Sequence, residues 1–88
     1  MRATFYDFEI TMTLDEARSI SHLGDGAAEV KALQAMPKIR HQLKKISDDA
    51  LHEELREYGT WDLEELLDRD ANERRIVWLA ANQIVNAA

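Results

Sequence analysis

Residues 70–86 read Asp-Ala-Asn-Glu-Arg-Arg-Ile-Val-Trp-Leu-Ala-Ala-Asn-Gln-Ile-Val-Asn, and their periodicity decides the fold. Ile76, Leu79, Ala80 and Ile84 share one helical face, and Val77, Trp78, Ala81 and Val85 widen the apolar arc. A helix apolar over most of its girth is surrounded by other elements. A long C-terminal helix, about Ala71 to Asn86, is therefore expected at the centre of the domain, with Trp78 in the core. Asp70-Ala71-Asn72-Glu73 has the residue pattern of a capping box at its start.

Working back along the chain, shorter helices are expected around that centre. Thr60 is read as the cap of a short helix bearing Leu63, Leu66 and Leu67, with Trp61 stapling it to the core. Ser47 caps another, with Asp48 and Asp49 where negative charge suits the helix dipole. Leu51, Leu55 and Tyr58 form its inner face, and Gly59 ends it. Pro37 fits the first position of a helix whose Ile39, Leu43 and Ile46 make an amphipathic stripe. A further helix is read over about Ala27 to Ala35, with Val30 and Leu33 apolar, after a Gly24-Asp25-Gly26 turn. Thr13-Leu14-Asp15-Glu16 is a capping box opening a helix to about His22, with Ala17 and Ile20 inward and Gly24 closing it.

Residues 4–12 differ. Tyr6, Phe8, Ile10 and Met12 alternate with Phe5, Asp7, Glu9 and Thr11, the period of a strand. No second segment alternates as well, and a lone strand must pair its backbone somewhere. Three destinations stay open: a second copy across a two-fold axis, a partner's sheet edge, or a short internal stretch without a sequence signal.

The fold class is thus mainly α: a compact bundle of five to six short helices around the long C-terminal helix, with one short N-terminal strand. The 88 residues suit a single domain. It divides into a strand arm (1–13), near-neutral to basic helices (14–46), acidic helices (47–69) and the central helix (70–88).

The chain has no cysteine, which removes disulfides, thiolate metal sites and cysteine nucleophiles. With no apolar leader after Met1 and no apolar run long enough to span a bilayer, a cytoplasmic protein with no membrane partner is expected. The histidines, His22, His41 and His52, lack the spacing of a metal site, and His52-Glu53-Glu54 lacks the second histidine of a zinc-protease helix. Serines and threonines sit mainly at helix starts. No reaction class emerges, so neither enzyme, cofactor nor metal site is expected.

Charge is the stronger clue. The net charge is −6, and residues 47–73, with eleven acids and two arginines, carry −9 while the rest of the chain is net positive. Asp48, Asp49, Glu53, Glu54 and Glu57 on one helix and Asp62, Glu64, Glu65 and Asp68 on the next form the candidate partner-binding surface. Duplex DNA carries about one negative charge per 1.7 Å of axis. Closely spaced carboxylates can occupy a basic groove meant for nucleic acid, or can simply keep the protein dispersed. Lys38, Arg40, His41, Lys44 and Lys45 form a basic stripe. With a net negative chain and no interleaved aromatics, direct nucleic-acid binding is not expected; the stripe suits neutralisation of an acidic helix or of the same patch on a second subunit.

Glu57-Tyr58-Gly59-Thr60-Trp61-Asp62, the following acids and leucines, then Asn72, Arg75 and Trp78-Leu79-Ala80-Ala81 resemble a pattern in small proteins of phages, plasmids and other bacterial mobile elements. The resemblance covers about a third of the chain and implies no catalytic residue. It implies a context in which small acidic non-enzymatic proteins inhibit host defence, as anti-CRISPR and anti-restriction proteins do. The expected function is therefore inhibition of a host nucleic-acid-handling complex through an acidic, nucleic-acid-mimicking surface. The alternative is a structural or regulatory homodimer joined by the strand and the long helix.

Overall fold

The computed structural model describes residues 1–22, 33 and 36–88. The helix expected over Ala27–Ala35 and the Gly24-Asp25-Gly26 turn lie outside the described residues, apart from Leu33, which is helical and buried. The order is β1 (Arg2–Thr4), β2 (Glu9–Thr11), α1 (Leu14–Ser21), α2 (Pro37–Lys44), α3 (Asp48–Arg56), a 3-10 turn (Glu65–Leu67) and α4 (Arg69–Ala87). The protein is mainly helical, with four α-helices among the described residues.

The single N-terminal strand is a hairpin instead. β1 and β2 pair antiparallel, with Ala3 opposite Ile10, and the Phe5 N–H donates to the Phe8 carbonyl at 2.9 Å across a two-residue turn at Tyr6-Asp7. Because facing residues share a side, the buried positions are odd in the first limb (Ala3, Phe5) and even in the second (Ile10, Met12). The turn hides this switch from a sequence reading. Hairpin turns are usually announced by Gly or Asn at positive φ, but the positive φ among the described residues is at Gly59.

Two glutamines finish the sheet. On the outer side of β1, the Thr4 N–H donates to Gln83 Oε1 at 2.7 Å, and Gln83 Nε2 donates to the Thr4 carbonyl at 3.2 Å. On the outer side of β2, the Thr11 N–H donates to Gln42 Oε1 at 2.7 Å, and Gln42 Nε2 donates to the Thr11 carbonyl at 2.8 Å. Each side-chain amide takes the pair of backbone groups that an added strand would use, which blunts both edges.

α4 is the hub, packed against α1, β1, α3 and the 3-10 turn. Ile76, Val77, Ala80, Ala81 and Ile84 are buried along it, and the rest of the core comes from Ala17, Ile20, Ile39, Leu43, Ile46, Leu51 and Leu55. Burial of each larger aliphatic side chain stabilises the fold by about 1.5–3 kcal/mol. Trp78 departs from expectation: it is 36% exposed at the border of the apolar arc.

The helix starts mostly follow the sequence. Thr13 and Glu16 form the reciprocal capping box, and Ser47 Oγ accepts from the Ala50 N–H at 3.1 Å. α4 starts earlier than expected: Asp68, in extended backbone, caps it by accepting from the Asp70 and Ala71 N–H groups. Gly59, at φ +66°, ends the α3 region as its position implied. Tyr58 is 49% exposed rather than on the inner face.

The helix expected after Thr60 is reduced to the 3-10 turn. Asn72 Nδ2 donates to the Leu66 carbonyl at 2.7 Å, and Arg75 donates to the Glu65 carbonyl at 3.1 Å. A continuing helix would need those carbonyls for its own ladder. Leu66 points inward, while Leu63 and Leu67 are exposed.

Candidate protein-binding surface

The structure divides the nine carboxylates of the candidate surface between holding the fold and facing outward. Arg69 is the main reason. Its guanidinium pairs with Asp48 at the start of α3, with Glu73 one turn along α4 at 2.9 Å, and with the Leu43 carbonyl at the end of α2 at 2.9 Å. The hydrogen bond to Asp48 raises the Arg69 pKa above its ordinary value; Glu73 adds to this, and burial acts against it. Arg69 therefore joins three helices, with Asp48 as its partner on α3.

Glu65 and Asp68 are also engaged in structure. Glu65 lies 3.7 Å from Arg75, and its Oε1 accepts from the Asp62 N–H at 3.5 Å. Asp68 is the α4 cap. Glu54 is half-buried, and its Oε1 accepts from the Tyr6 N–H at 3.1 Å, fixing the hairpin turn against α3. Asp62 and Glu64 are exposed on the segment before the 3-10 turn.

Asp49 and Glu53 of α3, with Glu57 at its C-terminal cap, remain as exposed carboxylates. Glu53 is 3.6 Å from Arg56, an exposed i,i+3 pair of little energetic weight. Residues 50, 53, 54 and 57 share a face, and the hairpin turn lies alongside it. Tyr6, Asp7, Ala50, Glu53, Glu54 and Glu57 line a hollow of about 330 Å³. A second hollow adjoins it, lined by Asp7, Phe8, Lys45, Ile46, Ser47, Asp49, Ala50 and Glu53. The acids thus do not pool into one wall running from Ser47 to Arg69. A smaller group, Asp49, Glu53, Glu54 and Glu57 with Asp7, forms beside Tyr6, which is 93% exposed. Asp7 comes from the hairpin, so only knowledge of the turn would have added it.

Four residues of the 57–81 segment, Tyr58, Trp61, Asn72 and Arg75, are brought together elsewhere. Arg75 stacks over the Trp61 ring at 5.2 Å and donates to Asn72 Oδ1 at 3.0 Å. Tyr58 meets Trp61 edge to face, with centroids 6.5 Å apart. Asn72 is buried with both ends of its amide hydrogen-bonded. The pattern therefore encodes a clasp holding residues 58–67 on α4. Tyr58 is shifted above the ordinary tyrosine pKa by burial and by the nearby Glu54 charge.

His52 lies with Asp48, Asp49, Leu66, Leu67 and Arg69 in a small depression between α3 and α4. No set of three His, Asp or Glu side chains suited to a metal ion occurs among the described residues. No helix among them is long and apolar enough to cross a membrane. The chain matches no protein-family model, no curated protein and no solved structure.

Proposed function

We propose that this chain is a non-enzymatic inhibitor from a mobile element that acts in the bacterial cytoplasm by binding a host defence complex, of CRISPR or restriction type, in a groove meant for nucleic acid. One observation carries the reading: Asp7, Asp49, Glu53, Glu54 and Glu57 gather around two adjoining hollows at the hairpin turn and α3. Clustered carboxylates around a hollow with low-dielectric walls concentrate negative potential and steer a cationic partner. The exposed Tyr6 beside them adds a ring that can lie against an arginine or lysine of that partner. The resemblance of residues 57–81 to mobile-element proteins supports the biological setting, although those residues themselves hold the fold.

The test is protection of a phage from a restriction- or CRISPR-bearing host, with the purified chain also assayed for displacing duplex DNA from the defence complex. The wild type restores plaques and displaces DNA, with displacement weakening as salt rises. The variant D49K/E53K/E57K, altered at exposed positions, loses both effects while keeping its melting temperature. Undiminished protection by that variant, or none by the wild type across both kinds of host, overturns the reading.

A further inference from the structure

The outward side of α2, opposite the buried Ile39 and Leu43, is basic. Lys38, Arg40, His41 and Lys44 are exposed there, and Lys45 continues the face at the helix end. Among the described residues, no carboxylate forms an ion pair with Lys38, Arg40, Lys44 or Lys45. Ile46 and Ser47 then lead directly into α3 with its carboxylate face. The ends of the two faces meet at one hollow, lined by Lys45 from the end of α2, Asp49 and Glu53 from α3, Asp7 from the hairpin turn, and the apolar Phe8 and Ile46. Phe8 is half-buried and Ile46 buried, so the hollow combines apolar side chains with charges of both signs.

From this arrangement we infer that the surface docks a second copy of the same chain across a two-fold axis through the hollow, α2 of each protomer lying along the carboxylate face of the other's α3. A two-fold contact places the same patch against itself with its flanks exchanged. A patch positive on one flank and negative on the other is then complementary to itself twice over. A polyanion would match α2 and be repelled by α3; a polycation would do the reverse. Of these three, a second copy satisfies both flanks. The strand edges of the hairpin take no part, since Gln42 and Gln83 already occupy them, although Asp7 and Phe8 of its turn line the hollow. The contact is largely charged and peripheral, so the dimer is weak, rapidly exchanging and salt-sensitive. It also covers the face assigned above to a basic partner, so the two associations exclude each other, but the dimer needs no partner to be observed.

Sedimentation equilibrium of the full chain tests this, with two variants at exposed positions, K44E/K45E and D49K/E53K, each checked for native circular dichroism. At low salt the wild type approaches the mass of two copies as concentration rises towards about 1 mM. It returns to one copy in about 1 M salt, where the screening length falls to about 3 Å. Each variant alone stays monomeric under the low-salt conditions. Their equimolar mixture regains the dimer mass, because both flanks then match again. A wild type monomeric throughout, a dimer unaffected by either variant, or a mixture that stays monomeric overturns the inference. Tight binding of duplex DNA by the wild type, lost in K44E/K45E, overturns it as well by assigning α2 to a polyanion.

Discussion

The hairpin and residues 58–67 are the least helical parts of the described chain, and α4 secures both with side-chain amides, but on different foundations. The hairpin sinks Ala3, Phe5, Ile10 and Met12 into the core, and its glutamine clips complete what burial has already positioned. Residues 58–67 send one side chain, Leu66, fully inward. They are held chiefly by Asn72 and Arg75 reaching for the Leu66 and Glu65 carbonyls, with Trp61 under the guanidinium. The first region depends on apolar area, which is tolerant of direction. The second depends on a few directional bonds, which fail together when one member is removed.

That contrast can be broken from either side. Ile10→Ala gives the largest effect, a loss of about 3–4 kcal/mol by urea unfolding, because a fully buried side chain leaves a cavity in the common core. Its cost is global: amide exchange accelerates throughout the described elements. Asn72→Ala comes next, at about 2–3 kcal/mol, since the Leu66 carbonyl and the Arg75 guanidinium each lose a partner in a partly or wholly buried setting. Its exchange signature is local, concentrated in residues 58–67. An exchange pattern for Asn72→Ala as uniform as that of Ile10→Ala would erase the distinction.

The smallest effect sharpens the comparison by pH. The Tyr58 pKa is higher folded than unfolded, through burial and then Glu54. The folded state therefore binds more protons in the alkaline range. The associated stability is full below the unfolded value of about 10 and is lost as pH rises through the folded one. Tyr58→Phe removes that share of the alkaline decline, measured by urea midpoints at successive pH values above about 9. An unchanged alkaline slope would show that Tyr58 is not coupled to folding.

Several elements were legible because their signals are local. Thr13 with Glu16, Ser47, Pro37 and Gly59 each impose a start or stop through bonds within a few residues, and the apolar spacing from Ile76 to Ile84 names the buried side of α4. What escaped the sequence depends on partners far along the chain. The Tyr6-Asp7 turn has no glycine or asparagine to announce it, so two short strands read as one. The leucines at 63, 66 and 67 have helical spacing, but Asn72 and Arg75 capture the backbone carbonyls a helix would use. Trp78 looks like core from its neighbours, yet its angle on α4 leaves it at the border. The candidate surface was legible as composition and not as geometry. Every acid could be named, but that Arg69 draws Asp48 into the fold, that Asp68 caps α4 and that Asp7 joins the α3 face required the tertiary structure.

Gln83 contacts Thr4 across 79 residues of chain, and this has a consequence for biosynthesis. The hairpin leaves the ribosome well before α4, the helix carrying the glutamine that completes its first limb. β1 and α1 both pack on α4, so the nascent N-terminal region emerges without its docking site. Closure of this small domain therefore waits for α4 to be made, and that sets the earliest moment at which the native packing becomes accessible.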